Sequence, residues 1–412
     1  MRSPLQFVEK HAILKRKGGI LVTAVITDVH YRMSLALIRD LARAGVRAVC
    51  CEREGVPAPL GFVSKYTDET VLLPREGWLD ALYDLCAKLT ETEGERPALL
   101  PVGAVTLATL SAERERFAQV CGLCIPTRSQ LDAFNSKETV AGLGERLGVP
   151  VPRRFAPQAG EDAAAFFARL PLPCVVKPLC GEKFGLSAAQ RYVIARTPEQ
   201  GAAAFRRFSE LTGEAPMVQE YLPGGGLGCS VLAEEGTVRA ALCHRRVREY
   251  PVSGGPSSCC VRVDRPDLEE CAARLVAETG YTGLAMFEFK EGADGQPRLL
   301  EINPRVWGTF PLTRVSGSGI PLMWYTLSRN RGNPKKEPVP LPPAAPFRSC
   351  KMQFGASDLM AGLSWLKRGR PGKALGALGD FLNPAVKDGL WEWGDPRPGL
   401  MYYRSLLKKE KP

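Results

Sequence analysis

Two short stretches place oxygen donors where apolar strands should run. "MFEF", Met286 to Phe289, carries Glu288, and "LLEINPRVWGTF", Leu299 to Phe310, carries Glu301, Asn303 and Arg305. A strand sends alternate residues to one face, so Glu301 and Asn303 share a side. The "GADGQP" segment between the stretches reads as a hairpin turn that folds Glu288 back toward them. Two carboxylates and an amide oxygen are hard donors suited to magnesium, which takes one or two carboxylates and completes its shell with water and nucleotide phosphate. An ordinary solvent-facing hairpin would explain the acids alone. It leaves unexplained their position among Met286, Phe287, Phe289, Leu299, Leu300 and Ile302.

A metal of this kind implies a nucleotide, and the chain offers phosphate binders upstream. Lys137 stands at the start of a predicted helix in "NSKETVAGLGERLG", and Lys177 closes the strand "PCVVK". Helix N-termini and ammonium groups both suit phosphate. The loop "CGEKFG", Cys180 to Gly185, contains Gly181 and Lys183 and could cover the β- and γ-phosphates with backbone N–H groups. Each feature alone is an ordinary lysine or an ordinary turn; their order along the chain gives them weight.

The elements that must position these residues fall into successive units. From Ile20, strand-like and helix-like segments alternate: "GILVTAVIT", "RMSLALIRDLARAG", "VRAVCCE", "TVLLP", "GWLDALYDLCAKLTE", "PALLPVG". This is the pattern of a parallel sheet covered by helices, and a Rossmann-like unit over residues 1–125 is expected. It lacks the GxGxxG turn of a dinucleotide site. A second unit is expected over 126–330, with a lid over about 157–231. A proline-rich linker and a helical extension are expected over 331–412, where "GNPKKEPVPLPPAAP" opens the segment.

Composition bounds the reading. The 412 residues are 45% hydrophobic and 24% charged, a globular balance, and carry a formal charge of +11 that favours anionic ligands. The N-terminal sequence has no secretory pattern, no apolar run is long enough to span a bilayer, and the 13 scattered cysteines fit a reducing compartment, so a cytoplasmic protein is expected. The single CxxC, Cys121 to Cys124, has no second pair and reads as core. His11, His30 and His244 form no triad. Asp28, His30 and Arg32 end the first strand of the alternating region, where α/β sheets bind ligands, and are candidates for part of an acceptor site.

The sequence of a lysine-bearing helix, "VVKP" with its loop, "VQEYLPG", and the pair "FEF…LLEINPR" resembles the ATP-grasp superfamily over about residues 19–327. It is most similar to the carboxylate–amine ligase branch, and more loosely to D-aspartate ligases and the synthetase halves of carbamoyl-phosphate synthase. The resemblance implies an α/β chain with a Rossmann-like pre-ATP-grasp domain followed by a two-lobed α+β ATP-grasp fold. It implies ATP contacts from Lys137, Lys177, Gly181 and Lys183. Gln219 would meet the adenine amino group, and the backbone of Glu220 and Leu222 would line the adenine edge. Glu288, Glu301 and Asn303 would hold two Mg²⁺, with Mn²⁺ as a substitute. Two departures stand out: the hinge position is Gln219 where many relatives have glutamate, and "GGGLG" offers no acid to the ribose.

The same resemblance places Arg246, in "HRRVRE", and Arg305 beside the γ-phosphate and the acceptor carboxylate. Alternation sends Arg246 and Arg248 to one face and Arg245 to the other. The implied activity is ATP-dependent amide formation between a small carboxylate and an amine through an acyl phosphate, releasing ADP and phosphate. No nucleic acid or membrane is expected among the partners, and a homodimer is one expected assembly. The competing readings are an ATP-binding regulator without catalysis and a protein that binds nucleic acid or another anionic surface. Against the latter, the positive residues are spread along the chain instead of forming an aromatic-studded stripe.

Overall fold

The computed structural model describes residues 22–179, 184, 186, 190–252, 254–343 and 346–407, and the backbone of the strand Gln6–Glu9. The expected β-α-β alternation produces a five-stranded sheet from β1 (Gln6–Glu9), β2 (Ala24–Thr27), β3 (Ala48–Arg53), β4 (Glu69–Leu73) and β5 (Ala98–Pro101), in the order β1-β4-β3-β2-β5. β2 to β5 are parallel and β1 joins the edge antiparallel. Helices over Arg32–Arg43 and Trp78–Glu93 supply the crossovers. The central strands are apolar on both sides because both faces are covered: Ala24 and Ile26 enter one core, Val25 and Val49 the other.

A second, four-stranded sheet has the order β6-β9-β7-β8 and is antiparallel. Its strands are β6 (Arg154–Phe155), β7 (Cys174–Lys177), β8 (Val193–Ala195) and β9 (Met217–Glu220). Phe166, Phe167 and Phe208, from helices Ala163–Ala168 and Pro198–Thr212, fill its own small core.

The largest sheet contains β10 (Gly226–Glu234), β11 (Thr237–Glu249), β12 (Ser257–Arg262), β13 (Gly283–Glu291), β14 (Pro297–Asn303), β15 (Lys351–Gln353) and β16 (Lys387–Asp388). Their order is β14-β13-β10-β11-β12-β15-β16. Alternation gives this sheet two different faces. Phe287, Phe289, Leu299 and Ile302 pack against Val140, Leu143, Leu268 and Leu275 from the helices Lys137–Leu147 and Pro266–Thr279. Leu232, Leu242, Cys260, Leu284 and Met286 face the other way and join the core built on Ala24, Ile26 and Leu35. The first unit and the large sheet therefore share one hydrophobic core.

Two boundaries differ from the sequence reading. Residues 226–231, assigned to the lid by sequence, lie in β10 between β13 and β11, because an apolar strand of nine residues is stabilised by ladders on both sides. The segment after residue 331 contributes β15 and β16 to the large sheet besides its helices, so it completes that sheet's far edge.

The C-terminal segment is also pinned to the first unit by a buried charge network. Arg39, 2% exposed, donates through Nε to Asp395 Oδ2 at 3.0 Å and through Nη1 to the Leu390 carbonyl at 2.8 Å. Asp395 accepts further bonds from Ser64 Oγ at 2.7 Å and the Lys65 N–H at 2.9 Å. Deleting one member strands a buried charge, which costs several times what a surface pair is worth. Asp395→Ala should lower the unfolding free energy by about 3–5 kcal/mol, read as a shift of the urea midpoint. A midpoint equal to that of the parent protein would show that the network contributes nothing.

Candidate active site

The hairpin β13–β14 sets the site. Its register pairs Glu288 directly with Glu301 and Met286 with Asn303, and a bulge follows Glu288. Because Phe287 and Ile302 point into the core, both carboxylates and the amide emerge on the opposite face. Asn303 Nδ2 donates to Glu288 Oε1 at 2.9 Å. Arg305 Nη2 donates to Asn303 Oδ1 at 3.1 Å, while Arg305 Nη1 donates to the Val306 carbonyl at 3.1 Å. The Arg246 guanidinium donates to Glu288 Oε2. Glu288, Asn303 and both arginines singled out by sequence thus form one connected network, with Glu301 opposite Glu288 in the ladder.

Lys137 is the first residue of its helix, after Ser136, whose side chain accepts from the Thr139 N–H. β14 is the edge strand of the sheet, so that helix start reaches around its margin, and Lys137 Nζ lies 3.8 Å from Glu301 Oε2. Lys177, at the end of β7, arrives from the four-stranded sheet. Burial pushes its ammonium down to about 8, the positive charge of Lys137 adds to the lowering, and Glu301 opposes it. Burial likewise raises the Glu288 carboxyl; Arg246 works against this and the neighbouring Glu301 reinforces it. The small sheet is tied to the large one by Arg298 Nε to Glu220 Oε1 at 3.0 Å and by the Gly224 N–H to the Glu291 carbonyl at 3.0 Å.

The other expected nucleotide contacts are distributed less evenly. Gln219 and Leu222 are buried, at 6% and 3% exposure, on β9 and just after it. The Glu220 N–H donates to the Arg153 carbonyl at 2.9 Å, and its carboxylate also accepts from the Arg153 N–H at 3.0 Å. That N–H is therefore occupied within the protein. Gly181 and Lys183 lie outside the described residues.

Alternation misplaced one arginine. A bulge in the β11–β12 pairing skips Val247, so Arg246 pairs with Cys260 and Arg248 with the adjacent Cys259. The extra residue rotates Arg248 away from Arg246. Arg248 instead grips Asp358 through Nε at 2.9 Å and Asp380 through Nη2 at 2.6 Å. Asp28, an acceptor-site candidate, is consumed within the fold: it accepts from the Gly103 N–H at 2.9 Å and from Thr106 Oγ1 at 2.7 Å, joining β2 to the start of the helix Ala104–Ala112 that follows β5. His30 is bound to Glu52 at 2.7 Å, and the Arg32 guanidinium stacks 3.5 Å over the Phe354 ring.

Lys290, Glu249 and His244 were not singled out by sequence. Lys290 follows Glu288 by two residues and pairs across β10 with Gly226 as Glu288 pairs with Gly228, so it shares the polar face. Burial lowers its ammonium, and the charges of Glu249 and Arg246 act on it. The i, i+2 spacing was a usable signal. His244, 1% exposed, lies across β10 and β11 from Gly228, and burial followed by the charge of Arg246 pushes it down to about 3. It is a neutral imidazole beneath the polar network, with Nε2 3.4 Å from Thr309 Oγ1.

Among the described residues, no group of three histidine, cysteine, aspartate or glutamate side chains gathers. The Glu288, Glu301 and Asn303 set nevertheless fits magnesium bound with a nucleotide, because phosphate oxygens and water would complete the shell. Each carboxylate already faces a cation, Arg246 or Lys137, as expected where positive charge is needed.

With this geometry in hand, comparison with known proteins points in one direction. Residues 212–351 match a family described as ATP-grasp in the biosynthetic pathway with Ter operon. The fold is similar to biotin carboxylase from Campylobacter jejuni, solved as a beta-gamma-ATP complex, with TM-score 0.58 and 15% identity over 79% of this chain and 73% of that one. It is also similar to the L-amino acid ligase of Bacillus licheniformis, with TM-score 0.53 and 15% identity over 81% and 80% of the two chains. A third similar structure is the biotin carboxylase domain of Hydrogenobacter thermophilus 2-oxoglutarate carboxylase, in complex with MgADP, ADP and bicarbonate. Its TM-score is 0.55 with 14% identity over 74% and 69%. No curated protein matches in sequence.

The floor of the site depends on a missing side chain. A Cβ on Gly228 would stand 2.3 Å from the His244 ring, closer than carbon atoms approach. Gly228→Ala should push His244 into Arg246 and destabilise the protein by about 1–3 kcal/mol. Thermal melting checks this, and an unchanged melting temperature would show that the ring moves without cost.

Proposed function

We propose that this chain, an ATP-grasp protein, is an ATP-dependent carboxylate–amine ligase that works through an acyl phosphate. The observation that carries the reading is the convergence of Glu288, Glu301 and Asn303 with Lys137, Lys177, Arg246 and Arg305 where the small and large sheets meet. Lys137 and Lys177 hold the polyphosphate, and Gln219 and Leu222 enclose the base. Gly181 and Lys183 are proposed to cover the phosphates. Glu288, Glu301 and Asn303 hold magnesium, which when bound neutralises charge that develops between the β- and γ-phosphates.

The acceptor carboxylate attacks the γ-phosphorus, the bond to the bridging oxygen breaks, and ADP leaves. The amine then attacks the carbonyl carbon of the acyl phosphate. Arg305 stabilises the oxyanion, and phosphate departs as the amine loses its proton. Arg246 exchanges Glu288 for the transferring phosphate. The low-dielectric setting that raises Glu288 and lowers Lys177 also excludes water, which would otherwise hydrolyse the acyl phosphate.

Glu301→Gln should abolish magnesium-dependent ATP turnover while preserving the melting temperature. With a panel of amino acids, hydroxy acids and small peptides, hydroxylamine should trap a hydroxamate in amounts matching ADP. Arg305→Ala should lower that yield by about 10²–10³ with little change in nucleotide affinity. A carboxylate that stimulates ADP release without hydroxamate, and without transfer of carboxyl oxygen to phosphate, overturns the acyl phosphate.

Lys177 supplies an independent test. In the free protein its ammonium loses a proton as pH rises through about 8, and a polyphosphate beside it restores the charge. ADP binding should therefore take up a proton, more at about pH 9 than at about pH 7, measured from the buffer dependence of the binding enthalpy. Lys177→Met should remove the difference. Equal uptake in parent and variant would dissociate Lys177 from the phosphates.

A further inference from the structure

The helical hairpin Gly355–Lys367 and Pro371–Leu382 leaves an apolar surface uncovered. Its inner side is accounted for: Ala361, Gly362 and Ala377 are buried, and Asp358 and Asp380 are held by Arg248. Its outer side carries Met360, Leu363 and Leu366 at i, i+3 spacing on one helix. Leu375, Leu378 and Leu382 stand at i, i+3 and i+7 on the other. Their exposures run from 43% to 71%. Periodic rows of this kind on both helices differ from the single exposed leucines that any surface has.

The charge around the patch is one-sided. From Leu359 to Gly379 there is no acidic residue, while Lys367, Arg368, Arg370 and Lys373 crowd the tip where the helices meet. All four are exposed, and the Lys373 ammonium stands 4.0 Å over the Trp365 ring. A second copy of the chain would bring a second set of these cations to the same place, at a cost in repulsion. Leucine rows ending in a tryptophan and a cluster of lysine and arginine match the demands of an anionic lipid interface, where apolar side chains enter the acyl boundary and cations meet headgroup phosphates.

We propose that this hairpin docks the protein on the surface of anionic membranes. The attachment is peripheral, since among the described residues no helix is long and apolar enough to cross a bilayer. Among the described residues, no hydrogen bond or ion pair joins the hairpin to Glu288 or Glu301, so docking and turnover are separable by mutation.

The full chain should co-sediment with vesicles of phosphatidylcholine and phosphatidylglycerol, and not with phosphatidylcholine alone. Trp365 emission should shift to the blue on binding, and high salt should release the protein. Reversing the tip with Lys367→Glu, Arg368→Glu, Arg370→Glu and Lys373→Glu should weaken binding at least about tenfold. Leu363→Ser with Leu375→Ser should weaken it with the cations intact, and unchanged ADP binding in both variants would certify their folding. Absence of wild-type binding, binding indifferent to lipid charge, or binding unaffected by both variants overturns the proposal. A dimer that Leu363→Ser with Leu375→Ser converts to monomer, in protein that ignores vesicles, would assign the face to a second copy instead.

Discussion

The antiparallel pairing of Glu288 with Glu301 is the constraint around which the site is arranged. Two carboxylates opposed on one face of a ladder repel each other, and burial of Glu288 adds a desolvation cost. The pair persists because cations come to it from separate parts of the chain: Arg246 from β11, Lys137 from the helix start at the sheet's edge, and Arg305 through Asn303. Each of these elements is fixed by apolar packing behind it. The phenylalanines and leucines that alternate with the acids bind the two helices, and those helices hold Lys137 in reach.

The surrounding structure distributes strain and space so that this network can exist. Gly228 leaves room for a buried neutral imidazole under Arg246, and the skipped Val247 sends Arg248 elsewhere. Arg248 thereby becomes the anchor for the C-terminal helices through Asp358 and Asp380, while Arg39 and Asp395 anchor the residues that follow them. The C-terminal segment is thus fastened at two arginines, Arg248 on the large sheet and Arg39 on the first unit. Its outward face is free of these duties, and the basic, leucine-rich tip sits there.

The paired acids, the amide and their cations were legible in the chain because strand alternation is a local rule. Glu301 and Asn303 had to share a side once Ile302 between them was buried, and a short turn had to return Glu288 to them. The parallel sheet of the first unit followed for the same reason, from repeated apolar strands and amphipathic helices. The lysines were recognised through their order in the chain.

What only the tertiary structure decided are the features that depend on an extra residue or on a distant partner. A bulge inserts one residue without any mark in the sequence, so alternation failed between Arg246 and Arg248, and again between Leu299 and Glu301 where the pairing skips Leu300, while it held from Glu301 to Asn303. The joining of β15 and β16 to the far edge, the capture of Arg39 by Asp395 and the approach of Lys177 to Lys137 each require contacts across scores to hundreds of residues. Periodicity reports which face of an element is apolar. It carries no information about which other element will cover that face, and that choice placed the charges of this protein.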